Sequence, residues 1–142
     1  MLPKESLIQA AQEARERAYA PYSGYKVGAA LESDQGQISL GANVENVTYG
    51  ATICAERAAV SGMFSNGLGN KIRQIAVVTQ DGGTPCGICL QVLSEFVIEG
   101  EDVLVHCANQ TGEVKTYRLT ELIPHAFSSK SVRRTDSAGP AV

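Results

Sequence analysis

The chain has no surplus of positive charge: 12 lysines and arginines stand against 15 aspartates and glutamates, a formal net charge of -3 over 142 residues. That balance argues against a protein whose affinity comes mainly from neutralising nucleic-acid phosphates. No stretch is long and apolar enough to cross a membrane. The opening "MLPKESLIQAAQEARER" is charged from its fourth residue and never builds the apolar segment of a signal peptide. There is no internal repeat, and no GxSxG elbow accompanies either histidine, so serine-hydrolase chemistry has no support. The expected setting is the cytoplasm, without membrane or nucleic-acid partners. There thiols stay reduced, and clustered cysteines more often bind metal or do chemistry than form disulfides.

What is present is ordinary globular material, 44% hydrophobic and 19% charged. The length suits one domain. We expect it over 1–127, with a tail at 128–142 that collects Ser, Lys, Arg, Gly and Pro without apolar periodicity and is either flexible or an oligomer extension. Leu7, Ala11, Ala14 and Ala18 recur at helical spacing, predicting an amphipathic helix over 4–19. "KVGAALES" and "QISLGANVEN" read as a hairpin turning at 34–36. A helix over 54–65, a buried strand over 72–80 and a helix opening at "CGIC" follow. Two strands around "QTG" and a short helix at "ELIPHAF" complete the order. The class is α/β: a three-layer α/β/α sandwich around a mixed five-stranded sheet.

Four cysteines are few, yet two of them stand three apart behind a proline, in "TPCGICLQ". At a helix start Cys86 and Cys89 point the same way, and the partial positive charge there favours thiolate. This CxxC alone fits a metal site, a thioredoxin-like redox pair or simple packing. Cys54, which also opens a predicted helix, shifts the balance. Three thiolates from two helix N-termini make a tetrahedral zinc site with one position open, the arrangement of a catalytic zinc. Glu56, two residues on, is placed to carry a proton without being a ligand. On a regular helix positions 54 and 56 lie about 200° apart, so Cys54 must occupy a cap with non-helical dihedrals. Arg57 and the two helix ends are the expected compensators for the thiolate charge. Cys107 would close the site if it were a fourth ligand, but it reads as a small buried hydrophobe in mid-strand. His106 and His125 are isolated and read as structural or pocket-wall residues.

"CAER" at 54–57 with "PCGIC" at 85–89 resembles the zinc-dependent cytidine deaminases of the short-chain, homotetrameric type. "PYSGYKVGAAL", "GANVENVTYG", "ICAERAAV", "PCGICLQVLSEF" and "ELIPHAF" extend the likeness, in the family's order, over nearly the whole chain. The resemblance implies one zinc per subunit on Cys54, Cys86 and Cys89, and hydrolytic removal of the amino group of cytidine or 2'-deoxycytidine, with Glu56 as proton shuttle. It implies that Asn43 and Glu45 hold sugar hydroxyls, and that Tyr25 packs near the base where the family usually has phenylalanine. Tyr49 and Phe127 match aromatics contributed by neighbouring subunits. The small residues Ala55, Ala58, Ala59, Ser61 and Gly62 suit a helix approached from several sides in such an assembly. Ile88, Leu90 and Val47 depart from the family pattern, where alanine, arginine and alanine are usual. These departures suggest an altered pocket that tolerates cytosines modified at the amino group. A nucleic-acid-editing deaminase, a non-enzymatic zinc module and a thiol redox protein are the alternatives.

Overall fold

The structure is a computed structural model and describes residues 1–132. Most of the predicted tail, 133–142, lies outside the described residues. The first helix, α1 (Lys4–Arg15), buries Leu7, Ala11 and Ala14 along one stripe. It stops short of the predicted residue 19 because the backbone there is needed elsewhere: the Tyr19 amide donates to the Asn43 carbonyl and its carbonyl accepts from the Glu45 amide. Ala18 therefore leaves the stripe. Strands β1 (Gly28–Ser33) and β2 (Ile38–Ala42) form the hairpin.

Next come α2 (Ala55–Ser65), β3 (Ile72–Val78), α3 (Gly87–Glu95), β4 (Leu104–Ala108) and β5 (Val114–Arg118). The sheet order is β2-β1-β3-β4-β5, with β3 and β4 parallel and the other pairs antiparallel. The parallel pair needs the α3 crossover, and the mixed sheet follows from it. A last short helix, α4 (Leu119–Leu122), lies earlier than predicted. Glu121 accepts from the Arg118 amide at its start, and Pro124 disfavours helical backbone at Ile123, whose φ is -139°.

Alternation along the strands feeds two cores. Ala29, Leu31, Ile75, Val77, Val105 and Cys107 face α2 and α3, whereas Ala30, Ala76, Val78 and Ala108 face α1. Two glycines let helices lie directly on the sheet. A Cβ at Gly28 would come within 2.0 Å of the Ala11 carbonyl oxygen, and one at Gly41 within 2.1 Å of that of Ala55. The second contact seats the first turn of α2 on β2, and that turn carries Cys54 at its cap and then Glu56.

On the α1 face a polar chain crosses four strands. Gln74 Nε2 donates to Glu32 Oε1 and to the Leu2 carbonyl, so Gln74 Oε1 accepts from His106 Nε2 at 2.8 Å, and His106 Nδ1 accepts from the Thr116 hydroxyl. His106 is thus structural. Burial, reinforced by Lys4 and opposed by Glu5, pushes its pKa below the ordinary 6.5. As pH falls through 6.5 the unfolded chain takes up this proton before the native state does, so stability is full above that value and declines below it. Denaturant midpoints at pH 7.5 and 5.5 should show an acid loss that is smaller in His106→Gln; equal losses would refute the assignment.

Candidate active site

The site lies where β3 ends and β1 begins, between the N-termini of α2 and α3. Cys54 is the N-cap of α2, with φ -74° and ψ 152°, and Cys86 is the N-cap of α3, with φ -68° and ψ 167°. Cys54 meets the non-helical condition that its spacing to Glu56 demanded. Cys86 likewise sits in extended backbone rather than on the helix turn itself, and Cys89 follows in the first turn of α3.

The three sulfurs lie within 4.8 Å of one another. Tetrahedral zinc with bonds of about 2.3 Å requires sulfurs roughly 3.8 Å apart, so a modest contraction suffices and the donor set fits the metal. All four cysteines are free thiols, and Cys107 stays outside the group, buried on β4 with its pKa raised by burial to about 11. His125 is exposed beyond α4.

Charge at the cluster is handled locally. Hydrogen bonds from Cys89, then from Arg57 and Cys86, bring the Cys54 thiol down to about 5, and the same pairing with Cys54, together with burial, pushes Cys89 up. Arg57 Nη2 donates to the Thr52 carbonyl at 3.0 Å and reaches Cys54 Sγ at 3.8 Å. Its Nε is buried without a partner among the described residues. An otherwise costly orphan donor is tolerated because the side chain is held against the thiolate.

A cavity of about 300 Å³ opens beside the thiols, and its walls include Glu56, Asn43, Glu45, Tyr25, Thr79 and Cys86. Glu56 is only 5% exposed. Burial raises its carboxyl to about 7, opposed by its own backbone amide and by Arg57 and assisted by the Cys54 charge.

The two sugar-contact candidates are knitted into the wall. Asn43 Nδ2 donates to the Tyr25 carbonyl and its Oδ1 accepts from the Val27 amide, each at 2.8 Å. One donor and one acceptor site of the amide remain free for a ligand. Glu45 accepts from the amides of Tyr22 and Ser23 and from the Ser23 hydroxyl, which, with that hydroxyl as the main cause, holds its carboxyl below the usual range.

Not every predicted residue joins this cavity. Tyr49 is 74% exposed, packs edge-on against Tyr22 and borders a neighbouring depression of about 270 Å³ that shares Ser23, Glu45 and Thr52 with the main one. Phe127 is exposed, and its backbone is tied to the Gln91 side chain in the middle of α3. Ile88 and Val47 point to solvent and Leu90 enters the core beneath α3, so within one chain none of the three lines the cavity. Conversely, Ser23, Gly83 and Thr84 line the cavity although the sequence marks them only as loop residues, and Thr79 lines it although it reads as part of the buried strand over 72–80.

Comparison with known proteins agrees with this geometry. The family described as the cytidine and deoxycytidylate deaminase zinc-binding region matches residues 1–107. A cytidine deaminase of Halalkalibacterium halodurans is 40% identical over 133 residues, covering 92% of this chain and 98% of that protein. The crystal structure of cytidine deaminase from Burkholderia pseudomallei superposes with a TM-score of 0.79 at 41% identity, over 89% of this chain and all of that one. That of the Mycobacterium tuberculosis enzyme gives 0.77 at 38%, over 90% and 99%. A family model matched over residues 1–107 and a relative 40% identical over nearly its whole length are enough to place it: the chain belongs to the cytidine and deoxycytidylate deaminase family of zinc-binding proteins.

Proposed function

We propose that the protein is a cytidine deaminase, converting cytidine or 2'-deoxycytidine and water to the uridine nucleoside and ammonia. The observation that carries this is the buried Glu56 carboxylate facing the cavity beside three convergent thiols. Cys54, Cys86 and Cys89 would hold zinc, which when bound supplies the Lewis acidity that brings a water's pKa near 7. Glu56 accepts a proton from the attacking water, whose oxygen bonds to the amino-bearing ring carbon. It delivers that proton to the adjacent ring nitrogen and then carries the remaining proton of the added hydroxyl to the amino group, leaving the oxygen as the ring carbonyl. The carbon–nitrogen bond then breaks and ammonia leaves. Asn43 and Glu45 orient the sugar with the donor and acceptor capacity left by their wall contacts. Tyr25 flanks the base.

The family spans nucleoside and nucleotide deaminases, and the cavity favours the nucleoside. Glu45 and Glu56 line it, and among the described residues no lysine or arginine does; a phosphate group would meet carboxylates without a compensating cation. The same lack, with the net charge of -3, leaves a nucleic-acid-editing role unsupported. The exposed aromatics Tyr49 and Phe127 support assembly into a homotetramer in which copies of the chain complete each other's sites. The free thiols suit the reducing cytoplasm. Ultraviolet absorbance loss at equal concentrations should be rapid with cytidine and 2'-deoxycytidine and at least about a hundredfold slower with the 5'-monophosphate, the cost of an unpaired buried charge. Turnover of the monophosphate alone would overturn the reading. Nucleosides substituted at the amino group belong in the same panel, and their turnover would show a tolerance that Ile88, Leu90 and Val47 do not provide from within one chain.

A further inference from the structure

Two segments wall the cavity. One is the stretch 20–27, which supports the Glu45 carboxylate through Ser23 and contributes Tyr25. The other is the turn 79–85 between β3 and α3, which leads into Cys86 and contributes Thr79, Gly83 and Thr84. They differ in how firmly they are held. The Thr79 amide donates to the Ala108 carbonyl at 3.0 Å, and Asp81 forms a bridge with Asn109, so the turn is fastened to the end of β4. Within the turn the Thr79 hydroxyl accepts from the Gly82 and Gly83 amides. The other segment is exposed and carries Pro21 and Gly24, the latter at φ 68° with open space where a side chain would stand. Its side-chain anchors are Asn43 and Glu45, with Arg15 Nε on the Lys26 carbonyl, before it enters β1, where Gly28 pairs with Val78 at the end of β3.

Among the described residues one hydrogen bond joins the two walls: the Tyr25 phenol donates to Asp81 Oδ1 at 2.6 Å. The same oxygen accepts from the Thr79 hydroxyl at 3.2 Å and the Gly83 amide at 3.3 Å, so the acceptor is fixed by the rigid turn before Tyr25 reaches it. We propose that Asp81 is a positioning residue acting through Tyr25: their bond latches the segment holding the sugar-facing carboxylate to the turn that delivers Cys86, and presets the cavity before substrate enters. A phenylalanine at position 25 would keep the ring but not the latch. Burial and the Asp81 carboxylate both raise the Tyr25 pKa, which keeps the phenol protonated as a donor. With its proton committed to Asp81, the phenol oxygen can only accept hydrogen bonds from whatever occupies the cavity.

An unlatched segment must be ordered by the substrate itself, so the loss should fall on binding and leave the chemistry at saturation intact. This rests on the deaminase reading, and the two fail differently. A zinc-loaded wild type inert on cytidine removes that reading, whereas an active wild type with indifferent variants removes the latch. The experiment is steady-state kinetics on cytidine for wild type, Tyr25→Phe, Asp81→Ala, the double variant and Asp81→Asn, each with its zinc content measured. Tyr25→Phe and Asp81→Ala should each raise KM about fivefold, with kcat within about twofold and zinc unchanged. The double variant should be no worse than Asp81→Ala alone, because Asp81→Ala already removes the one bond that Tyr25→Phe removes. Asp81→Asn, which retains the acceptor, should stay close to wild type. Multiplying effects in the double variant, an unaffected Tyr25→Phe, or a fall in kcat matching the rise in KM would each overturn the latch.

Discussion

Glu56→Gln should leave a folded, zinc-loaded protein whose kcat on cytidine is lower by about a thousandfold or more, near the upper part of the range for losing a positioned general acid–base. Glutamine fills the same volume in the first turn of α2, but its amide cannot take a proton from water and return it to the ring. The other carboxylate in the cavity wall, Glu45, is no substitute, since both its oxygens already accept hydrogen bonds from Tyr22 and Ser23. Stability separates this from a structural role. A charge only 5% exposed, with no salt-bridge partner among the described residues, is costly to bury. Making it neutral should leave Tm unchanged or higher even as turnover disappears. A variant that keeps within tenfold of wild-type kcat would remove Glu56 from the chemistry, and one that unfolds would make its role structural.

The legible part of this site was local. Cys54 and Glu56 two residues apart, and Cys86 and Cys89 behind Pro85, specify their relation over a single turn of backbone, and the N-cap dihedrals of Cys54 follow from the requirement that both side chains reach one place. The hairpin and the buried β3 run were equally plain, because alternation and β-branching act within each segment. Contacts between segments distant in sequence were not legible. Nothing in the α1 periodicity announces that Tyr19 will pair with the chain at 43–45, and the helix is shorter than its pattern for that reason. Asn43 shows the same difficulty in the site, where its amide also ties down the backbone of Tyr25 and Val27. Tyr25 and Asp81 stand 56 positions apart, and their bond exists only once the hairpin and the β3–α3 turn are in place. Leu90 drew notice by its departure from a family pattern, but helical phase carries it beneath α3 into the core.

The three thiols make a final prediction that also separates two kinds of zinc site. Cys89 is fully buried in the first turn of α3, whereas Cys86 is exposed and Cys54 half-buried, so Cys89→Ala removes the innermost ligand and little side-chain volume. Two thiolates hold zinc far less well than three, so zinc per chain should fall from about one toward zero on dialysis, with cytidine turnover down by about a thousandfold or more for want of the Lewis acid. The protein should nonetheless remain folded. Unlike a zinc finger, which depends on the metal for its structure, it has two apolar cores spread over β1, β3, β4 and β5 and α1 to α3. Its Tm should match that of chelator-treated wild type, below the holoprotein by the metal's binding contribution. Cys107→Ala supplies the contrast, since that thiol is equally buried on the same face of the sheet but outside the cluster. It should cost about 1 kcal/mol of packing and keep both zinc and activity. Stoichiometric zinc and full turnover in Cys89→Ala would dissolve the three-thiol site. Zinc loss in Cys107→Ala would mean a fourth thiolate ligand and a closed, structural metal, and with it the open coordination position on which hydrolysis depends would be gone.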